Sequence, residues 1–434
     1  MALYFGAHVG LAFLAQRFWV IATIWALSIA VVGLVALARP RSDERLLVIA
    51  AYVVGVELVW RGTHARVFWE YGKYLLIVLL GLAILKRVRG RLEWRAIAFI
   101  GCLVPSLAVL PSFNREDIAY NLSGPVALGI ATIFFSGLSI DRRRLLQILI
   151  FALGPIIGLA SLASLGTLQA ETGAFKVGGK VTTAGIGPNQ VSSMLGLGLL
   201  AIFILLLLGP RRRAYRVWLG VLGIWLGGQT ILSFSRGGLW TAAGAIVVAS
   251  FFMLQERRQR SILVTLAIIG FLVFRFVVFP ATDTISGGVV RQRIVDMDLT
   301  GRERIMKADW IVFKEHPIMG VGPGQSYGAH ALTFRASAAH TEYTRLLAEH
   351  GTFGVLAIFL LAWMTWVRLR RQQPAEDKGL SLAFTAWALL YMGHSAMRLA
   401  APAFLFGLGG AWLLVGTVQL GRKTATQADH LDVR

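Results

Sequence analysis

His340 is the side chain in this sequence best suited to moving a proton. A neutral imidazole with a reference pKa near 6.5 is the natural general base at neutral pH. It follows three small residues, Ser337, Ala338 and Ala339, and stands two residues before Glu342. The bland alternative is a structural histidine. Against it, four of the chain's eight histidines (His316, His330, His340 and His350) lie within residues 281–351. Arginines supply a second chemistry. Arg236 sits in Ser233-Phe-Ser-Arg-Gly-Gly, and Arg291, Arg293, Arg302 and Arg304 form a second group. A guanidinium fork suits a phosphate through paired hydrogen bonds. Each group also has a plainer reading. Arg236 would be an interfacial side chain reaching for water, and the second group would be paired internally with Asp296, Asp298 and Glu303.

Two further segments bear on the same chemistry. Gly320-Val-Gly-Pro-Gly324 is either a plain turn or a backbone nest for an anion. Gly187-Pro188 opens a helix in the manner that favours proline in the first turn, and Asn189 and Gln190 would then face an acceptor or a sugar. No pair of His or Cys has zinc spacing. Arginines, and not a cation, are therefore expected to neutralise an anionic group.

Stepping outward from these residues, the rest of the chain reads as membrane. Of 434 residues 56% are hydrophobic and 15% charged, whereas a soluble domain carries roughly 25% charge. The apolar blocks approach the ~20 residues that cross a bilayer, and the short alternating stretches of a transmembrane barrel are absent. The expectation is an all-α polytopic membrane protein with about 12 to 14 transmembrane helices. Its spans fall near 18–38, 46–60, 73–86, 96–112, 118–139, 145–165, 189–209, 217–234, 237–255, 261–280, 352–367, 379–397 and 400–420, with a short helix over 2–16. The early blocks carry no basic residue before Arg17, so the first helices are expected to be retained rather than cleaved.

The formal charge of +21 is spent on topology, and no nucleic-acid partner is expected. Clusters at Arg39–Arg45, Lys86–Arg95, Arg142–Arg144, Arg211–Arg216, Arg257–Arg260, Arg368–Arg371 and Arg422–Lys423 separate the apolar blocks, as cytoplasmic loops do. That puts the loops near 61–72, 113–117, 166–188, 234–236 and 281–351 outside. The long loop holds eight Lys or Arg and eight Asp or Glu, unlike the basic linkers. Within it, Ile305, Met306, Trp310, Ile311 and Phe313 follow a helical period, and Ala338 to His350 repeats the pattern. Two amphipathic helices joined by a glycine turn are expected on the outer boundary. The organisation is thus N-terminal transmembrane helices over 1–280, a periplasmic catalytic loop over 281–351, C-terminal transmembrane helices over 352–421, and a cytoplasmic tail over 422–434.

Taken in order, Gly301-Arg302-x-x-x-Met306, Glu315-His-Pro-x-Met-Gly-Val-Gly-Pro-Gly324 and Ala339-His-Thr-Glu-Tyr-x-x-Leu-Leu-Ala-Glu-His-Gly-x-x-Gly354 resemble the bacterial O-antigen ligase and polymerase superfamily. Ser235-Arg-Gly and Gly187-Pro-Asn match its habit too. The similarity is strong over about residues 180–360, with Met306 standing where members often carry tryptophan. The resemblance implies a GT-C-like glycosyltransferase in the bacterial inner membrane. It would take a glycan from undecaprenyl diphosphate on the periplasmic face and pass it to an acceptor hydroxyl by inverting transfer, without metal or other cofactor. The expected partners are the lipid-linked glycan, a lipid A–core or glycan acceptor, and membrane lipids. By motif, His340 is catalytic and Arg236 and Arg302 hold the diphosphate, with Arg291 a weaker candidate. Glu342, Asn189 and Gln190 are supporting residues, Glu342 by orienting His340 or an arginine. A ligase is favoured over a polymerase and over a branch that glycosylates proteins, because the loop is compact and no further domain for protein recognition is expected after the last helix. A lipid-linked oligosaccharide transporter is the remote alternative; its mid-membrane charges would be Glu57, Arg275 and Arg398.

Overall fold

In a computed structural model, the structure describes residues 1–87, 92–112, 114–171, 174–176, 178–255, 257–295, 302–328 and 341–416. The side chains of 257–259, 293–295 and Arg302 fall outside that description. The fold is all-α and polytopic. Its helices are α1 (Ala2–Arg17), α2 (Trp19–Ala38), α3 (Ser42–Gly62), α4 (Tyr71–Lys86), α5 (Trp94–Gly101), α6 (Arg115–Ser136), α7 (Arg142–Gln169), α8 (Pro188–Leu208) and α9 (Arg213–Leu232). They continue with α10 (Gly237–Met253), α11 (Arg257–Val273), α12 (Phe279–Ile285), α13 (Val289–Val295), α14 (Arg302–Glu315), α15 (Glu342–Arg370), α16 (Ala375–His394) and α17 (Ala401–Gly410).

Six stretches among the described residues are long and apolar enough to cross a membrane: α2, α6, α7, α8, the run from Arg260 to Ile285, and α15. The rest of the expected crossings fall to helices that are shorter or more charged. Thus α10 has 17 residues, and α3 carries Glu57 and Arg61 inside its apolar run. In a lipid solvent such charges need protein partners, and α3 has them, as shown below.

Helix packing relies on small residues, the usual device where lipid tails give no hydrophobic drive. A Cβ at Gly55 of α3 would stand 2.3 Å from the Ala152 carbonyl oxygen of α7. One at Gly238 of α10 would stand 1.9 Å from the Ser192 carbonyl oxygen of α8. Glycine is thus what lets these backbones touch. The Gly238→Ala substitution should therefore push α8 and α10 apart and destabilise the protein by about 1–3 kcal/mol. Thermal unfolding in detergent would check this, and an unchanged midpoint would contradict the close crossing.

Basic clusters gather at one end of the bundle and work as helix caps there. Arg142 Nε donates to the Leu208 carbonyl at the end of α8, 2.9 Å away, and Arg371 Nη1 donates to Gly410 O at the end of α17, 2.8 Å away. Arg87 pairs with Asp43 at 2.8 Å. Cations near helix C-termini satisfy the last carbonyls and oppose the helix dipole.

Two expected spans differ from the structure. The apolar run over 96–112 is broken after Gly101 and resumes as a 3₁₀ turn at Pro105–Val109, because proline cannot continue the hydrogen-bond ladder. The run over 400–420 ends as helix at Gly410. Trp412–Leu414 (β2) then pairs in parallel with Ser139–Asp141 (β1). A short apolar run does not tell strand from helix by period alone.

Candidate active site

The long loop begins with α12 and α13 and continues into α14, which docks on α15. Thr344 Oγ1 donates to Asp309 Oδ2 at 2.5 Å, and Asp309 is fully buried. Thr341 caps α15 by accepting from the Thr344 amide at 3.1 Å. The two expected amphipathic helices are therefore α14 and the first turns of α15. The second does not stand apart: α15 runs on into the next span through a kink at Gly351, φ 58°.

The glycine-rich turn serves that kink. Gly320 has φ 71°, and a Cβ there would meet the Glu349 carbonyl carbon at 2.4 Å. Val321 N donates to Ala348 O at 3.1 Å and Gly322 N to Glu349 O at 3.0 Å. These amides are occupied by the last carbonyls before Gly351. The turn is a clasp on α15, in line with the plain-turn reading, and its Val321 and Gly322 amides are taken by backbone carbonyls.

Glu342 is buried, and it orients an arginine that the motif argument did not single out. Arg345 Nη2 donates to Glu342 Oε1 at 2.5 Å, while Glu342 Oε2 accepts from the Met397 amide at 2.8 Å. Arg345 Nη1 also donates to Glu349 Oε2 at 3.1 Å and to Asn121 Oδ1 at 3.2 Å. Ser326 Oγ donates to Glu349 Oε1 at 3.0 Å. The spacing Glu342-x-x-Arg345-x-x-x-Glu349 is visible in the sequence as i,i+3 and i,i+4 pairs on one helix face. Asn121 and Ser326 carry no such signal.

A second charged cluster meets the first at the break between α16 and α17. Arg61 Nη2 donates to Glu57 Oε1 at 2.6 Å, and Lys73 pairs with Glu70. Both clusters then turn to the unwound backbone of residues 395–400. Arg61 Nη1 donates to Arg398 O at 2.9 Å, Lys73 Nζ donates to Met397 O at 3.1 Å, and Glu57 Oε2 accepts from Ala400 N at 2.8 Å. Charged side chains thus satisfy the backbone groups that a broken helix leaves open. Arg61 Nη1 also reaches Gln190 Oε1 at 3.4 Å.

The two upstream motifs come together in the same region. Ser235 Oγ donates to Asn189 Oδ1 at 2.7 Å, Ser192 Oγ donates to Ser235 O at 2.7 Å, and the Gly238 amide donates to Ser192 Oγ at 3.1 Å. Phe234 turns the chain with φ 54°. Arg236 follows as the residue before α10, half-buried.

Around these groups lie two adjoining cavities. The larger, about 810 Å³, is walled by Trp69, Tyr74, Tyr120, Lys180, Gln190 and Arg398 among others. The smaller, about 340 Å³, lies between α6, the turn after Gly324, α15 and the break. Asp117, Tyr120 and Arg398 are shared by both. The walls come from the segments near 61–72, 113–117, 166–188 and 281–351, and the fifth expected outer segment, 234–236, joins through Asn189. Described residues of all five segments thus line or adjoin the two cavities.

Residues 223–360 match the family described as O-antigen ligase. Over this segment the chain is similar to the O-antigen ligase superfamily. It runs from α9 into α15 and so carries Arg236, Arg291, Arg302, His340 and Glu342. The family is that of glycosyltransferase-like enzymes of lipopolysaccharide biosynthesis. No curated protein matches the chain.

The sequence-derived site residues are distributed unevenly in this frame. Asn189 and Gln190 reach the cavity region, the first through Ser235 and the second on the wall. Arg236 is one residue from that link. Arg291 is exposed on α13 and pairs with Asp283 at 3.1 Å; it lies on neither cavity wall. Arg302 opens α14 and Arg293 lies in α13, the side chains of both outside the described residues, and His340, Asp296 and Asp298 lie outside them altogether. Thr341 places the chain immediately after His340 at the N-cap of α15. Arg61, Lys73, Asn121, Asp117, Tyr120, Arg345 and Arg398 were not singled out as site residues in the sequence. The Glu57–Arg61 and Glu70–Lys73 spacings could have suggested the group on α3 and α4.

Proposed function

We propose that this protein is an O-antigen ligase. On this reading it transfers a glycan from undecaprenyl diphosphate to a lipid A–core hydroxyl on the periplasmic face of the inner membrane. The observation that carries the reading is the matched segment 223–360, whose Arg236 adjoins the Asn189–Ser235 link beside the larger cavity. The organisation into membrane helices flanking a catalytic loop at 281–351 belongs to the same proposal. Phe68 and Trp69, 56% and 52% exposed at the rim, suit a headgroup-level boundary where a lipid donor would enter.

The chemistry follows from the leaving group. Breaking the bond to the anomeric carbon builds charge on a diphosphate already anionic, and preorganised guanidinium groups stabilise it increasingly as the bond breaks. Arg236 and Arg302 are assigned that role. His340 is assigned the acceptor proton, and inversion follows from a single direct displacement. Arg236→Lys and Arg302→Lys should each lower transfer although the charge is kept, since an ammonium lacks the planar fork. Transfer measured on purified protein with matched folding would check this, and near-wild-type rates in both would remove the bidentate role.

Metal independence needs its own test. Asp296-Met-Asp298 has the Asp-x-Asp spacing at which enzymes of diphosphates hold a cation. The arginine assignment predicts full activity in excess EDTA. Activity lost in EDTA and restored by magnesium or manganese would give the charge neutralisation to a cation.

The ligase reading is tested by lipopolysaccharide gels of a deletion strain. Loss of all O-antigen on core, with undecaprenyl-linked polymer retained, is the expected result. Core carrying a single repeat would instead indicate a polymerase, which joins lipid-linked repeat units.

A further inference from the structure

The smaller cavity has a floor and a rim of different character. At the floor, Arg345 and Glu349 are 4% and 1% exposed. They are bonded to each other, to Asn121 and to Ser326, as described above, so they form a fixed polar surface. At the rim, Asp117 and Tyr120 project from successive turns of α6 and are exposed, Tyr120 by 37%. Asp117 Oδ2 is steadied by the Asn114 side-chain amide at 2.9 Å. Across from them stands Arg398, held on the break whose backbone four buried charged side chains secure.

This lining selects among ligands. An acyl or polyprenyl chain gains nothing from a carboxylate and a guanidinium, whose desolvation it would not repay. A diphosphate would meet Asp117 and Glu349 as like charges. A hydroxylated ring meets every group well. The carboxylate accepts from its hydroxyls, the guanidinium donates to its oxygens, and a tyrosine face covers its C–H surface. A concave site with a few converging polar groups is the ordinary form of a small-molecule pocket.

We propose that Asp117, Tyr120 and Arg398 form a binding subsite for one sugar residue of a glycan substrate. The inference rests on the glycosyl-transfer reading above and assigns these residues to binding, with no part in bond making. The sugar has two potential sources, the lipid-linked donor and the core acceptor, which share this chemistry.

The test uses full-length protein in nanodiscs and two soluble probes. One is the oligosaccharide released by mild acid from the producing organism's undecaprenyl-linked glycan, and the other is core oligosaccharide released from its lipopolysaccharide. Saturation-transfer NMR and titration should show the wild type binding one of them, which names the source. Asp117→Asn and Tyr120→Ala, with thermal midpoints matched to wild type, should weaken that binding about tenfold or more. Tyr120→Phe, which keeps the ring face, should retain most of it. Neither probe binding to the wild type, or both substitutions leaving affinity unchanged, overturns the subsite. The transferase reading fails separately: a protein that binds glycan through these residues yet moves none from donor to acceptor keeps the subsite and loses the enzyme.

Discussion

Replacing His340 with alanine is expected to lower glycan transfer by about 10²–10⁴-fold, the range a positioned base contributes, while donor affinity stays near wild type. The separation follows from the assignment of roles. Donor affinity is attributed to Arg236, Arg302 and the lipid-facing surface, whereas the imidazole acts only on the acceptor proton. The wild-type rate should fall on the acidic side with an apparent pKa of roughly 6–7, as protonation removes the base. If His340 instead positions a phosphate or sugar by donating a hydrogen bond, alanine should weaken donor binding, and glutamine should keep much of the rate. Single-turnover transfer and donor affinity of both variants separate the two. Substantial transfer by His340→Gln with an unchanged acidic limb would contradict the general-base role.

The second large effect is on folding. Arg345→Met should destabilise the protein by about 3–5 kcal/mol, the typical result of removing one partner from a buried ion pair. Arg345 is 4% exposed and faces two carboxylates, Glu342 and Glu349, which are 0% and 1% exposed. Methionine has similar reach and fills the space, so the loss reports charge rather than a void. The triple change of Arg345→Met, Glu342→Gln and Glu349→Gln should recover part of that stability, because no uncompensated charge remains. Thermal unfolding in detergent provides the readout. A midpoint for Arg345→Met equal to wild type would show that the network is not what holds α15 against α6 and the break at 395–400.

Much of the architecture was legible in the sequence, and the reason is periodicity of composition. Apolar blocks bounded by arginine clusters put helices near 18–38, 189–209 and 237–255, and the structure has them at Trp19–Ala38, Pro188–Leu208 and Gly237–Met253. What the sequence concealed depends on tertiary pairing. Nothing local shows that the Val181–Gln190 region, Asp117, Tyr120 and Arg398 share a cavity, because they are brought together from distant parts of the chain. Nor does an apolar run reveal that the helix over 379–397 ends at His394, leaving a break whose polar backbone Glu57, Arg61, Lys73 and Glu342 satisfy. Glu57, Arg275 and Arg398 are the charges of the transporter reading, and a broken helix at such charges is a transporter's habit. Here Glu57 is engaged with the Arg61 guanidinium and the Ala400 amide, which fits a fixed scaffold around the cavities.

That contrast also selects the decisive measurement. Purified protein is placed in proteoliposomes with purified undecaprenyl-diphosphate-linked glycan and lipid A–core, and both lipid products are quantified. The account predicts glycan joined to lipid A–core and bare undecaprenyl diphosphate, in equal amounts. Lipid-linked glycan moved intact between the leaflets, with none joined to the acceptor, would contradict it.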